Sequence, residues 1–195
     1  MSKTVCPLIE GTNKLMIIAH ADDEIIWGGE ELMSAPGEWD VLCITTPPPI
    51  ATFRIPIFLN KVSAYLKINT TMLPFKDSGL HKVIEGDIES PIEAKIRSRE
   101  WVKIVTHGPR GEYGHRHHKQ VHRAVVSVVK KTDNLDTLWT FDPRKNDLGV
   151  MSVEKIKLFQ KTYDDHPSLS INHPRRQHFR YNTTKGWQEH IKKFS

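Results

Sequence analysis

At 195 residues, with 38% hydrophobic and 26% charged side chains, the chain can bury a core without help from disulfides or a structural metal. Its two cysteines, Cys6 and Cys43, fall in no redox or metal-ligand spacing, and the net charge of +5 is scattered over modest clusters rather than gathered into a nucleic-acid patch. The opening MSKTVCPLIEGTN lacks the apolar stretch of a signal peptide, and no run approaches the ~18 apolar residues of a membrane span; the expectation is a soluble, cytoplasmic protein with free thiols, no nucleic-acid partner and no membrane span.

Leu15–Ala19 is an apolar run that reads as a buried strand. Asp23–Met33 follows with helical spacing, acids at its start and Ser34–Gly37 as its stop. Val41–Thr45 reads as a second strand, ended by Pro47, Pro48 and Pro49. Arg54–Leu66 sets Ile57, Phe58, Val62, Tyr65 and Leu66 at helical spacing, with Pro56 in the first turn. Thr71–Phe75 is expected as a strand, Asp77–Asp87 as an irregular loop, and Pro91–Arg99 as a short helix with Pro91 at its first position. Val102–Thr106 is a further strand, and Lys119–Lys130 a strong helix with Val121, Ala124, Val125 and Val128 on one face. A strand over Asp136–Phe141 and a helix over Val153–Tyr163 complete the pattern. This alternation predicts an α/β fold with a mainly parallel sheet. One domain over residues 1–195 is expected, its motif-bearing core at about 14–165, with an irregular extension over 166–195.

Two segments stand out, and both follow a strand and open a helix. The first is AHADDE, residues 19–24. Acids at a helix start accept orphan N–H groups and complement the dipole, which accounts for Asp22, Asp23 and Glu24. Capping leaves His20 unexplained; imidazole beside carboxylate at a strand end is equally a metal-ligand pair. Adjacent aspartates on a turning backbone cannot both point the same way, so one could meet a metal while the other faces a water. The second segment is GEYGHRHHKQVH, residues 111–122. His115 and His118 are three apart and His118 and His122 four apart, spacings that can converge on one helix face. HKQVH has the histidine spacing of HExxH without its glutamate, so the protease-type reading is poor. Taken singly, His117 and His122 read as supporting or surface residues.

Together, AHADDE and, about 90 residues later, THGPRGEYGHRHHKQVH resemble the PIG-L/LmbE-like de-N-acetylases, zinc hydrolases with a His-Pro-Asp-Asp-Glu motif after the first strand and a later Gly-His-x-x-His motif. The resemblance covers roughly residues 14–165. Ala21 replaces the usual proline, which removes no ligand; ITTPPPIATFR lacks the family's glycine-containing loop, which bears on substrate specificity. The resemblance implies a Rossmann-like three-layer sandwich, with no NAD site because GxGxxG is absent. It implies Zn2+, or another divalent ion, held by His20, Asp23 and His118. It makes Asp22 the general base, turns His115 to the substrate carbonyl in protonated form, and matches Tyr113 to a tyrosine that assists the reaction in some relatives. Arg54 and Asp77 match substrate-contacting positions. The implied substrate is a small molecule or glycan carrying an N-acetyl amino sugar, with a non-sugar or thiol-conjugate amide as the alternative and a non-catalytic basic binding module as a third class.

Overall fold

In the computed structural model the alternating runs form one six-stranded sheet with helices on both faces. The residues described are 11–79, 81–142, 144–145, 154, 157–158, 160–164, 187–188 and 191–194. In chain order the strands of that sheet are β1 (Lys14–Ile18), β2 (Trp39–Thr46), β3 (Asn69–Lys76), β4 (Lys103–Thr106), β5 (Leu138–Phe141) and β8 (Ile191–Lys193). They lie side by side as β3-β2-β1-β4-β5-β8; the first five are parallel and β8 runs antiparallel to β5. β6 (Arg144–Lys145) and β7 (Trp187–Gln188) form a separate antiparallel pair.

The central strand explains its own sequence. β1 is paired on both edges and covered on both faces, so KLMII is apolar throughout its inner residues. Side chains still alternate. Met16 and Ile18 join one core cluster with Ile25 and Leu32 of α1 (Asp23–Ser34) and with Phe58 and Val62. Leu15, Ile17 and Ala19 join the other, with Ile92 and Ile96 of α4 (Glu89–Ile96) and Val121, Val125 and Val128 of α5 (Arg116–Lys131). The result is the α/β three-layer sandwich, with a mainly parallel sheet, that the sequence led us to expect.

Several boundaries differ, each for a local reason. The segment read as one helix over Arg54–Leu66 is helical throughout but loosens in the middle: α2 (Arg54–Pro56) runs into a π-helical stretch, Ile57–Val62, and then α3 (Ser63–Leu66). α4 starts before Pro91, which still sits in the first turn, where its missing N–H has no helical partner to lose. α5 starts three residues earlier than its apolar face suggested, because His115 caps it. The C-terminal extension is not wholly irregular: Ile191–Lys193 pairs with β5, giving that strand a neighbour along its outer edge. Three residues are too few for an alternation signal. Of the helix expected over Val153–Tyr163, Gln160–Asp164 forms a π turn, and much of the rest lies outside the described residues, as does Cys6. Cys43 is a buried free thiol. Among the described residues no helix is long and apolar enough to cross a membrane.

The chain leaves β1 for β2 and β3, then crosses back to β4 and β5 on the other side. The carboxyl ends of β1 and β4 therefore diverge at the point where strand order reverses, the usual place for a ligand crevice in an open parallel sheet. His20 and His107 leave those two strand ends.

Candidate metal centre

Two turns bring the two motifs together. After β1 the backbone reverses through Asp22, whose φ of 122° is a conformation that L residues rarely adopt. Glu24 holds the turn, its Oε2 accepting the Asp22 N–H at 2.9 Å. Asp23 is thereby folded back, and its Oδ2 accepts the His20 N–H at 2.8 Å. After β4, Gly108 and Gly111 shape the second turn. A Cβ on Gly108 would stand 2.4 Å from the Phe141 carbonyl oxygen, and Gly111, at φ 65°, would meet the His115 carbonyl at 2.6 Å. That close passage starts α5 at His115, whose Nδ1 accepts the His117 N–H at 3.2 Å.

Three side chains then converge. His20 Nδ1 lies 3.2 Å from Asp23 Oδ2 and 3.3 Å from His118 Nε2, and His118 Nε2 lies 3.4 Å from the same Asp23 oxygen. The other end of each group is already engaged. Asp23 Oδ1 accepts the Trp27 indole N–H at 3.2 Å. His118 Nδ1 faces Glu112 Oε2 at 2.5 Å. A carboxylate can only accept, so His118 donates from Nδ1, and its Nε2, turned toward Asp23 and His20, is the nitrogen left to carry either a second proton or a cation. Such a cluster must hold positive charge at its centre. Burial opposes a charge on His118, yet the flanking carboxylates of Asp23 and Glu112 lift its pKa to about 10. Burial would likewise raise Asp23 and Glu112, but the His118 and His107 imidazoles reverse this, holding Asp23 well below the carboxylate range and Glu112 at about 2. Two imidazole nitrogens and a carboxylate oxygen within 4.8 Å of one another are a fitting donor set for a divalent cation.

The overall fold matches solved structures. No family model matches the chain. A protein of Acanthamoeba polyphaga mimivirus, itself uncharacterised, is 29% identical over 169 residues, 78% of this chain and 72% of that protein. The conserved protein TT1542 from Thermus thermophilus superposes with a TM-score of 0.61 over 92% of this chain and 93% of its own, at 15% identity. GalB, the 4-carboxy-2-hydroxymuconate hydratase from Pseudomonas putida, gives 0.57 over 89% and 83%, at 9% identity. The antimicrobial-reagent pseudoaglycone deacetylase Dbv21 gives 0.54 over 95% and 99%, at 16% identity. The chain has the PIG-L/LmbE-like fold.

On this PIG-L/LmbE-like scaffold the remaining expected residues take distinct places. Asp22 points at Arg54, whose guanidinium lies 2.9 Å from its Oδ2 and also donates to the Ala21 carbonyl at 3.1 Å. Arg54 thus braces the Asp22 turn, a contact that sequence reading did not foresee for a residue assigned to substrate. Asp77, at the end of β3, accepts the Gly79 N–H at 2.9 Å and lies 3.9 Å from His20 Nε2. Tyr113 is partly exposed, its ring 5.7 Å from His115 and 5.5 Å from His118; burial and the nearby Asp23 and Asp22 charges push its phenol up. His115 stacks on His118 with ring centroids 4.6 Å apart. Burial, with repulsion from His118 and His20, pushes its pKa down to about 2, which favours the neutral ring over the protonated form that the resemblance implies. Because Nδ1 accepts from the backbone, the neutral ring carries its proton on Nε2 and remains a hydrogen-bond donor there.

Sequence reading missed two groups and left two more open between supporting and surface roles. Glu112 takes N–H bonds from His107 (3.0 Å), His118 (2.5 Å) and Gly108 (2.8 Å). His107 stacks on His118 at 3.9 Å and accepts the Ala19 N–H at 2.9 Å, tying the β1 end to the β4 end. The THG…GEYGH lead-in contained both, but nothing in their spacing distinguished them from loop residues. His122 does not converge with His118; it turns to the His107 carbonyl at 2.8 Å. His117, read as supporting or surface, is buried against His20, with Nδ1 2.9 Å from His20 Nε2.

Proposed function

We propose that the chain is a metal-dependent hydrolase that removes the N-acetyl group from an N-acetylglucosamine-type sugar or sugar conjugate, releasing acetate and a free amine. The observation carrying this reading is the convergence of His20 Nδ1, Asp23 Oδ2 and His118 Nε2 where the strand order reverses, with a second aspartate, Asp22, on the adjoining turn. Dbv21 and a deacetylase of the teicoplanin biosynthetic pathway are fold neighbours acting as deacetylases, which supports amide chemistry.

His20, Asp23 and His118 would hold the cation, zinc by donor type, although the set also suits other divalent ions. When bound, the cation supplies Lewis acidity toward a water and toward the acyl oxygen. Asp22 accepts the proton of the attacking water, and the Arg54 guanidinium fixes the direction of its carboxylate. Charge developing on the acyl oxygen receives a hydrogen bond from neutral His115 Nε2–H, with Tyr113 beside it; one such donor is typically worth about 3–4 kcal/mol of barrier. The proton taken by Asp22 passes to the leaving nitrogen as the C–N bond breaks. Asp77, 3.9 Å from His20 Nε2, would meet a substrate hydroxyl.

Acetate release from a panel of N-acetyl hexosamines, nucleotide sugars and glycans tests the reading. Asp22→Ala should abolish turnover and keep the cation, whereas Asp23→Ala and His118→Ala should lose the cation. Silence across the acetyl-sugar panel with turnover of other amides would move the assignment to the non-sugar amidase; water addition to an unsaturated acid without acetate release would move it to the hydratase chemistry named for GalB.

A further inference from the structure

The cation site is fixed on one side by Glu112, a carboxylate. On the other side, at His20, the partner is a third histidine. His20 Nε2 is 2.9 Å from His117 Nδ1. The other His117 nitrogen, Nε2, is 3.0 Å from Ser78 Oγ, and Ser78 Oγ is 2.9 Å from the Val83 carbonyl oxygen. Imidazoles and hydroxyls can face either way, so such a chain has no direction unless one end fixes it.

Here the end fixes it. A carbonyl only accepts, so the single Ser78 proton goes to Val83. Toward His117 the hydroxyl can then only accept, which puts the His117 proton on Nε2 and leaves a lone pair on Nδ1. That lone pair requires a proton on His20 Nε2, and a neutral His20 is then bare at Nδ1. Nδ1 is the nitrogen that faces Asp23 and His118. Asp77 is no substitute partner for Nε2, since its nearest oxygen stands 3.9 Å away, beyond hydrogen-bonding range. His115 is no substitute for His117, because its Nδ1 is taken by the His117 backbone N–H.

The geometry points to His117 and Ser78 as positioning residues that set the hydrogen-bond polarity of His20, so that Nδ1 is presented bare to a divalent cation. The inference rests on the cation-site reading above but not on the reaction assigned to it. It also orders the overlapping histidine groups. His20, His115 and His117 offer atoms within 4.8 Å of one another, but there the proton between His20 and His117 is held by the Ser78 chain, while in the His20–Asp23–His118 group a cation need displace only the second proton of His118.

Two measurements test it. Long-range 1H–15N correlation on the metal-free protein, at about pH 8 where ordinary imidazoles are neutral, should find both His20 and His117 protonated on Nε2. Affinity for Co2+, from chelator competition and the ligand-field spectrum, should fall about 10–100-fold in His117→Leu, the usual cost of losing an outer-shell partner. It should recover to within a few-fold in His117→Asn, whose amide oxygen can accept from His20. Ser78→Ala should let the His117 proton redistribute between its nitrogens, which the same spectra read without relying on the Leu variant folding. Protonation of His20 on Nδ1 in the wild-type protein, or unchanged Co2+ affinity in a folded His117→Leu, overturns the proposal. A protein that shows the expected tautomers but releases no acetate keeps this inference and loses the hydrolase reading; one that hydrolyses amides with the opposite tautomers does the reverse.

Discussion

Glu112→Gln changes one atom of the site and almost none of its shape. In the native arrangement Oε2 takes N–H bonds from His107 and His118, and Oε1 takes the Gly108 N–H. A carboxamide offers one oxygen to these three donors. With that oxygen turned to the imidazoles, its NH2 confronts the Gly108 N–H; turned the other way, it confronts both rings. The cheaper choice leaves one buried N–H without an acceptor, costing about 1–3 kcal/mol, and reduces two charge-assisted bonds to neutral ones at about 1 kcal/mol each. The expected loss of folding stability is about 3–5 kcal/mol. Because His118 also loses the carboxylate that orients it, cation affinity should fall about 10–100-fold. Urea unfolding and Zn2+ titration against a competing chelator measure the two effects. A variant within about 0.5 kcal/mol of the parent, the range of an unremarkable surface change, and with the same Zn2+ affinity would refute this account of Glu112.

Gly108→Ala should cost about 1–3 kcal/mol in urea unfolding, since the added Cβ meets a strand carbonyl and not a flexible side chain. Arg54→Lys should lower kcat about tenfold with a smaller change in KM, because a lysine cannot reach both Asp22 and the Ala21 carbonyl as a planar fork does; a KM effect alone would return Arg54 to a substrate-binding role. Saturating Zn2+ at about 100 times its Kd should add about 2.7 kcal/mol of stability, seen as a rise in Tm that a chelator reverses. An unchanged Tm would mean that the native state holds no ion.

The fold was legible wherever burial imposed a pattern. β1 and α5 carry it most plainly: one is apolar because it is enclosed on every side, the other shows an apolar face because only one side is. The π-helical stretch at Ile57–Val62 was not legible, because side-chain spacing over six residues hardly separates 3.6 from 4.4 residues per turn. Among the candidate site residues, His20 stood out as an imidazole that helix capping leaves unexplained, whereas Asp23 and His118 were singled out by the family resemblance and not by spacing. Glu112 did not stand out, since a glutamate in a glycine-rich turn reads as surface until the turn is seen to fold inward. The downward push on the His115 pKa was also out of reach, as it follows from burial and from how closely His118 and His20 stand to it in space.

The pairing of β8 with β5 has a consequence for synthesis. As the polypeptide emerges from the ribosome, β5 is complete about fifty residues before its outer neighbour exists. Through that interval the nascent sheet displays an unpaired rim, the feature that invites mispairing with other chains. A stop codon just upstream of Ile191 would make the interval permanent, so shortened products should aggregate even though both metal-site motifs are intact.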